Sequence, residues 1–268
     1  VSGPLFERLE TFLGALADRQ AALIREAEVG FEGLREEFPD DPLPTGNALT
    51  GLRAQASQLR ERVDEVWEQQ IEALFSARAP TALDRARDRK EDAKRSMEDD
   101  WRRFEARVLA DFYRALRPRM EASLAQPVAC SRCSASLRPS GVRRTEAVTC
   151  RACGAVSQVM PQPAVAHYFG GAGHALAEEA TLPLRLRIEA DRTAADRARR
   201  STGWAPEPLA SLEAWEQAEQ AYWDAYGRAR AAATGDPVDA AFVESRMQAF
   251  RRAALETDPR WRRHRGRP

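Results

Sequence analysis

All four cysteines of the chain fall within 24 residues, as Cys130-x2-Cys133 and Cys150-x2-Cys153, with sixteen residues between the pairs. Two intervening residues let both thiolates of a turn reach one ion while backbone amides in the turn point at the sulfurs. A zinc ion favours four such thiolates in a tetrahedron, so the spacing predicts one Zn2+ held by Cys130, Cys133, Cys150 and Cys153. Four protein thiolates leave no position for water, which makes the expected site structural rather than catalytic. A disulfide reading competes only in an oxidising compartment. No apolar run approaches the roughly 20 residues that cross a bilayer, and the first residues lack the basic and apolar pattern of a signal peptide. The expectation is therefore a cytoplasmic protein without a transmembrane segment, its thiols reduced and available as ligands.

The second turn, Cys150-Arg151-Ala152-Cys153-Gly154, places glycine where the chain must turn away; the first has Ser134 there. Val142, Val148 and Thr149 between the pairs, and Val156, Val159 and Met160 beyond them, form short β-prone runs. Residues 127 to 161 resemble a zinc ribbon, which implies a small β fold but no particular activity. Metal binding contributes roughly 10 to 16 kcal/mol in small metal-dependent domains, enough to fold a segment with almost no core. The segment also carries Arg132, Arg138, Arg143, Arg144 and Arg151 against the single acid Glu146. These arginines can meet nucleic-acid phosphates, or they can offset the net negative charge of a zinc tetrathiolate.

Long helices are expected on either side. From Leu5 to Phe38 the apolar positions align at intervals of eleven, as Leu9, Gln20 and Phe31, then Phe12, Leu23 and Leu34, then Leu16, Ala27 and Phe38. That spacing keeps one stripe along a nearly straight helix. The prolines and glycine of 39–47 are expected to form a loop. A second helix follows with a near-heptad seam of Leu49, Leu52, Ala56, Leu59, Val63, Val66 or Trp67, Gln70 and Leu74. Thr81 is expected to cap a third, very long helix running to Gln126, with a kink at Pro118. Its face carries Met97, Trp101, Phe104, Val108, Phe112, Leu116, Met120 and Leu124. Thirteen of the seventeen residues from Asp84 to Asp100 are charged, so that stretch is expected to lie in solvent or against another charged surface rather than to bury a stripe.

Beyond the cysteines a helix is expected from about Ala164. Three glycines, Gly170, Gly171 and Gly173, weaken it there or let another backbone approach closely. Residues 182–188 read either as a strand or as a kinked helix, with the helix preferred. A loop over 201–208 precedes a helix from Leu209 to Ala232, which Gly235 caps. Asp236 and Pro237 are expected to start a last helix carrying Val238, Phe242, Ser245 and Phe250. His167 and His174 stand seven apart, about 10 Å along a helix, too far to share an ion easily. They are read as ordinary interior or helix-face residues, as is Glu178.

Composition narrows the functional classes. Charged residues make up 31% of the chain and aromatics 7%, a mixture suited to amphipathic helices. Basic and acidic residues balance at 41 each, so overall charge gives no argument for nucleic acid. Lys90 and Lys94 are the only lysines, an arginine bias that suits a GC-rich bacterial genome. The arginine-rich tail, with Arg260, Arg262 and Arg263 beside Trp261, either binds phosphates or acidic membranes or is disordered.

The expected fold class is mainly α: an elongated helical bundle or coiled-coil hairpin with an inserted small β zinc ribbon. Its regions are a long-helix part over 1–126, the four-cysteine ribbon over 127–163, a helical part over 164–256 and a basic tail over 257–268. The preferred function is non-catalytic scaffolding or adaptor binding to protein partners, with homo-oligomerisation through apolar seams. The alternative is a nucleic-acid or transcription-machinery binder that uses the basic ribbon and tail. A helical hairpin followed by a four-cysteine finger is similar in plan to RNA-polymerase regulators of the DksA type. The additional N-terminal helix, the hundred-odd residues after the ribbon and its strand-like interior depart from that plan. An enzyme is the third reading, requiring a deep polar pocket around His167, His174 and Glu178.

Overall fold

The eleven-residue spacing of Leu9, Gln20 and Phe31 puts all three on the buried side of α1 (Gly3–Glu37), together with Leu13. This helix opens a computed structural model that describes residues 3–139, 143–201 and 209–257. The chain is mainly α with two small antiparallel strand pairs. By its contacts it divides into one unit over Val1–Arg119 and another over Met120–Pro268. No helix of the described residues is long and apolar enough to cross a membrane.

In the first unit, α1 is followed by α2 (Leu43–Val66), a π turn (Trp67–Ile71), α3 (Glu72–Arg78), a 3-10 turn (Pro80–Ala82) and α4 (Leu83–Ala125), whose last residues belong to the second unit. The expected loop over 39–47 is shorter than predicted, because Pro44 lies in the first turn of α2 and Pro42 just ahead of it. Proline is tolerated there, where its missing N–H would have no helical partner. Thr81 lies in the 3-10 turn rather than capping α4. The long helix runs continuously through Pro118.

Ion pairs fix how the helices align. Glu10 meets Arg89, Glu28 meets Arg107 and Asp40 meets Arg119, each pair separated by 79 residues. A constant offset means that both helices advance in the same direction, so α1 and α4 run parallel. α2 and α3 return between them: Arg53 pairs with Glu105, Arg60 with Glu98, Asp64 with Lys90 and Lys94, and Glu72 with Arg87. The result is an up-down-up three-helix arrangement. Its apolar stripes cover one another, with Leu9, Leu13, Val63, Phe75, Ala86 and Met97 in one cluster and Phe31, Leu49, Ala56, Trp101 and Phe104 in the next.

Two sequence expectations fail here for identifiable reasons. The seam Leu49, Ala56 and Val63 does not continue to Gln70 and Leu74. Instead Ile71 and Phe75 are buried and Gln70 is exposed. The π turn adds one residue and shifts the stripe by one position. The charged stretch of α4 does bury a stripe: Ala86 is fully buried, and Ala93 and Met97 nearly so. The alanines are small enough for the neighbouring helices to approach, while long charged side chains lie along the flanks and reach their partners at the edge.

In the second unit α5 (Pro163–Ser201) runs without interruption through Pro183, so 182–188 is helical, with Leu182, Leu186 and Ile188 buried. It packs on α6 (Leu209–Thr234) through Ala177, Ile188, Tyr222 and Tyr226. Within that contact Arg185 donates to the buried Glu219 at 2.6 Å and lies 3.8 Å over the Tyr222 ring. The three glycines do not break α5, and no other backbone comes close at Gly170 or Gly173: a Cβ at Gly173 would come within 3.1 Å of Arg230 and Thr234 side-chain carbons on α6, whereas one at Gly170 would meet nothing within 4 Å. Gly235 ends α6 with φ of 71° and donates to the Ala231 carbonyl, as predicted. The cap of α7 (Ala240–Thr257) is Asp239, whose Oδ1 accepts from the Phe242 amide at 2.9 Å, and not Asp236, which is drawn away to Arg143. Val238 therefore stays exposed outside the helix, and Val243 and Met247 are the buried positions in place of Ser245. The loop expected at 201–208 falls almost wholly outside the described residues.

Candidate metal centre

Two copies of one local design, twenty residues apart, deliver the cysteines. In the first, β1 (Val128–Ala129) pairs with β2 (Ser136–Leu137); in the second, β3 (Glu146–Thr149) pairs with β4 (Val156–Val159). The Cys130 amide donates to the Ala135 carbonyl and the Ser134 amide to the Cys130 carbonyl, at 2.8 and 2.9 Å. The same two bonds, at the same lengths, join Cys150 with Ala155 and Gly154 with Cys150. Ser134 and Gly154 both adopt positive φ, 59° and 71°, to let the chain leave the turn. The matching segments, Val128-Ala129-Cys130 to Cys133-Ser134-Ala135 and Val148-Thr149-Cys150 to Cys153-Gly154-Ala155, are visible in the sequence as a short internal repeat that sequence reasoning overlooked. Of the predicted β-prone residues, Val148 and Thr149 lie in β3 and Val156 and Val159 in β4. Met160 follows β4 and is exposed, and Val142 lies outside the described residues.

Each turn contributes one buried sulfur, from Cys130 and Cys150, and one nearer the surface, from Cys133 and Cys153. The four Sγ atoms all lie within 4.8 Å of one another. Cys130 Sγ is 3.8 Å from Cys153 Sγ, and Cys133 Sγ is 3.6 Å from Cys150 Sγ. A regular tetrahedron with metal–sulfur bonds of about 2.3 Å has sulfurs about 3.8 Å apart, so the set fits one ion. Among the described residues these four form the one cluster of three or more side chains that can hold a metal. The surrounding core is small: Leu137 and Val159 are buried with Cys130 and Cys150.

Backbone amides prepare the thiolates. The amides of Arg132 and Cys133 aim at Cys130 and bring its thiol down to about 6; the Arg132 N to Cys130 Sγ distance is 3.4 Å. The amides of Cys153 and Ala152 lower Cys150 in the same way. At Cys133 the Ala135 amide pulls downward but is outweighed by the sulfurs of Cys153 and Cys150, and the thiol is pushed up to about 12. Four crowded sulfurs cannot all ionise unaided, and a divalent cation at their centre supplies the charge that lets them.

The predicted interaction residues divide into three groups. Arg132, Arg138, Arg144 and Arg151 are exposed, and none has an ion-pair partner among the described residues. Arg143 is committed: it pairs with Asp236, donates to the Thr234 carbonyl at 3.0 Å and stacks 3.8 Å over Phe169. Arg260, Arg262 and Arg263 lie outside the described residues. His174 Nδ1 is 3.0 Å from the Tyr226 hydroxyl, and the cavity that His174 borders is lined by neither His167 nor Glu178. Compared with known proteins, the chain matches no family model, and no curated protein or solved structure resembles it significantly.

Proposed function

We propose that this chain is a zinc-containing, non-catalytic helical scaffold or adaptor whose ribbon serves as the head that meets a protein partner. The observation that carries the reading is the contrast in how arginines are used. In the bundle, arginines such as Arg53, Arg60, Arg87, Arg89, Arg107 and Arg119 are spent on acids of neighbouring helices. On the ribbon, Arg132, Arg138, Arg144 and Arg151 are exposed and have no ion-pair partner among the described residues. A closed four-thiolate site supports a shape-holding metal and favours zinc, the ion that takes four thiolates without redox chemistry. The partner suited to such a head carries an acidic surface, because charge complementarity directs encounter and register.

The same arginines support a second reading, contact with nucleic acid or the transcription machinery, in which the arginines of the 257–268 tail add to the ribbon. Affinity purification of the tagged chain from its native cell separates the two. The expected result is a protein partner that survives nuclease treatment and is lost when Arg132 and Arg144 are both changed to glutamate. Recovery of nucleic acid with steep salt dependence would favour the second reading. A partner indifferent to both ribbon substitutions would contradict an interaction head.

A further inference from the structure

No residue of β4 is charged: it reads Val156, Ser157, Gln158 and Val159, with Met160 next, whereas β3 begins with Glu146. Side chains alternate across a strand. Val156 and Gln158 share the exposed face with Thr149 and Ala147, which lie opposite them on β3. Val156 and Met160 are apolar, yet 65% and 71% exposed. In a chain of which 31% is charged, an exposed sheet face without a charge is unusual.

The backbone of β4 also has an open edge. In an antiparallel pair, residues that exchange hydrogen bonds alternate with residues whose N–H and C=O point away from the partner strand. The Cys150 amide donates to the Ala155 carbonyl, so the bonded pairs continue as Val148 with Ser157 and Glu146 with Val159, and Val156 and Gln158 face outward. The same count from Cys130 and Ala135 turns Ala129 of β1 away from β2. The backbone groups of these three outward residues have no partner among the described residues. β1 and β4 belong to separate sheets. Both line a groove of about 370 Å³, to which the end of α4 and the start of α5 add Ser123 and Val165. Of the described residues that line it, none is charged.

An edge with free backbone and no charge is a template for another strand, which is why proteins commonly blunt such edges with lysine or proline. We propose that β4 takes up an extended segment of a protein partner as an added strand, with apolar side chains over Val156 and Met160 and acidic residues at the segment's ends. The acids follow from charge complementarity. Arg151 lies in the turn beside Val156, and Arg144 lies ahead of β3, at the opposite end of the hairpin. Both are exposed, and neither has an ion-pair partner among the described residues. Strand addition draws affinity from main-chain hydrogen bonds and specificity from alternate side chains. The added strand belongs to the acidic partner proposed above, and so rests on the ribbon being an interaction head.

The probe is a synthetic peptide, Val-Thr-Val-Thr-Val between pairs of glutamates, added to the isotope-labelled, zinc-loaded full chain and followed by amide hydrogen exchange in NMR. The Val156 and Gln158 amides, open in the free chain, are expected to exchange at least about tenfold more slowly with peptide bound. N-methylation of the peptide's central amides is expected to weaken binding by about tenfold or more, and exchange of its glutamates for lysines by a similar factor. Gln158→Pro removes one outward N–H without touching a bond to β3. It is expected to weaken the peptide by about tenfold with zinc content kept. Val156→Glu, which sets a like charge beside the glutamates, is expected to do the same should the proline variant lose its zinc. Unslowed exchange at Val156 and Gln158 overturns the proposal, as does equal affinity for the N-methylated peptide. Protection of these amides by a second copy of the chain, without peptide, also overturns it. In affinity purification, a cellular partner lost with Arg132 and Arg144 but kept by Gln158→Pro and Val156→Glu overturns the added strand and leaves the interaction head. A partner indifferent to the arginines removes both.

Discussion

Ser134 and Gly154 hold the same place in their two turns and share a left-handed backbone, with φ of 59° and 71°. A side chain in that conformation costs roughly 1 to 2 kcal/mol, a cost that glycine avoids. Ser134→Gly is therefore expected to improve metal retention, by less than about 1 kcal/mol once glycine's greater freedom in the unfolded chain is offset. Gly154→Val is expected to cost about 1 to 3 kcal/mol. Competition with a chromogenic chelator checks both. Faster metal loss from Ser134→Gly would show that the serine hydroxyl matters more than the backbone.

Gln20 sits in the apolar stripe of α1, buried, with Nε2 donating to the Met97 carbonyl at 2.6 Å. Its Oε1 is buried with no hydrogen-bond partner. One hydrogen bond yields about 1 kcal/mol net, whereas an unmet buried acceptor costs about 1 to 3. Gln20→Leu is expected to stabilise the first unit by about 1 kcal/mol, seen as a rise of a few degrees in its unfolding temperature. A fall would mean that the Met97 bond sets the register of α1 on α4 and outweighs the unmet acceptor.

Both lysines of the chain converge on Asp64, with Nζ of Lys90 at 3.0 Å and of Lys94 at 2.5 Å. Burial pushes this carboxyl upward, but the hydrogen bonds and charge of Lys94 and Lys90 prevail and hold it below its ordinary 3.8. A carboxylate with a depressed folded value stabilises at pH above its unfolded value and loses that contribution as pH falls through the folded one. The side chain is a third exposed, so the contribution at neutral pH is expected to stay under about 1 kcal/mol. Asp64→Asn should be less stable than wild type by that amount at pH 7, and the gap should close as acid is added below the carboxylate range. Denaturant unfolding at a series of pH values checks the sign, since a gap that widens in acid contradicts it.

How much of this was legible in the sequence depended on whether one residue type carried one signal. The cysteine spacing names its own ligands, and the eleven-residue alignment of Leu9, Gln20 and Phe31 places a buried face even though one member is polar. Between Asp84 and Asp100 the charges hid the stripe, because Ala86 and Ala93 bury a face through smallness rather than hydrophobicity. The π turn at Trp67–Ile71 was invisible because no residue announces an inserted position; only the shift from Gln70 to Ile71 reveals it. Asp236 and Asp239 are equally good caps by type, and it is Arg143, 93 residues upstream, that decides between them. Which ribbon arginines lack an ion-pair partner could be read only once Arg143 had found its partners.

The closed four-thiolate site is tested most directly by metal analysis and zinc-edge X-ray absorption on the full chain. The expected result is one zinc per chain surrounded by four sulfurs at about 2.3 Å. Cys150→Ser is expected to lose the ion and the ribbon while most helical circular dichroism remains, because both helical units have cores of their own. A nitrogen or oxygen ligand in the first shell, or an unchanged zinc content in Cys150→Ser, would contradict the assignment.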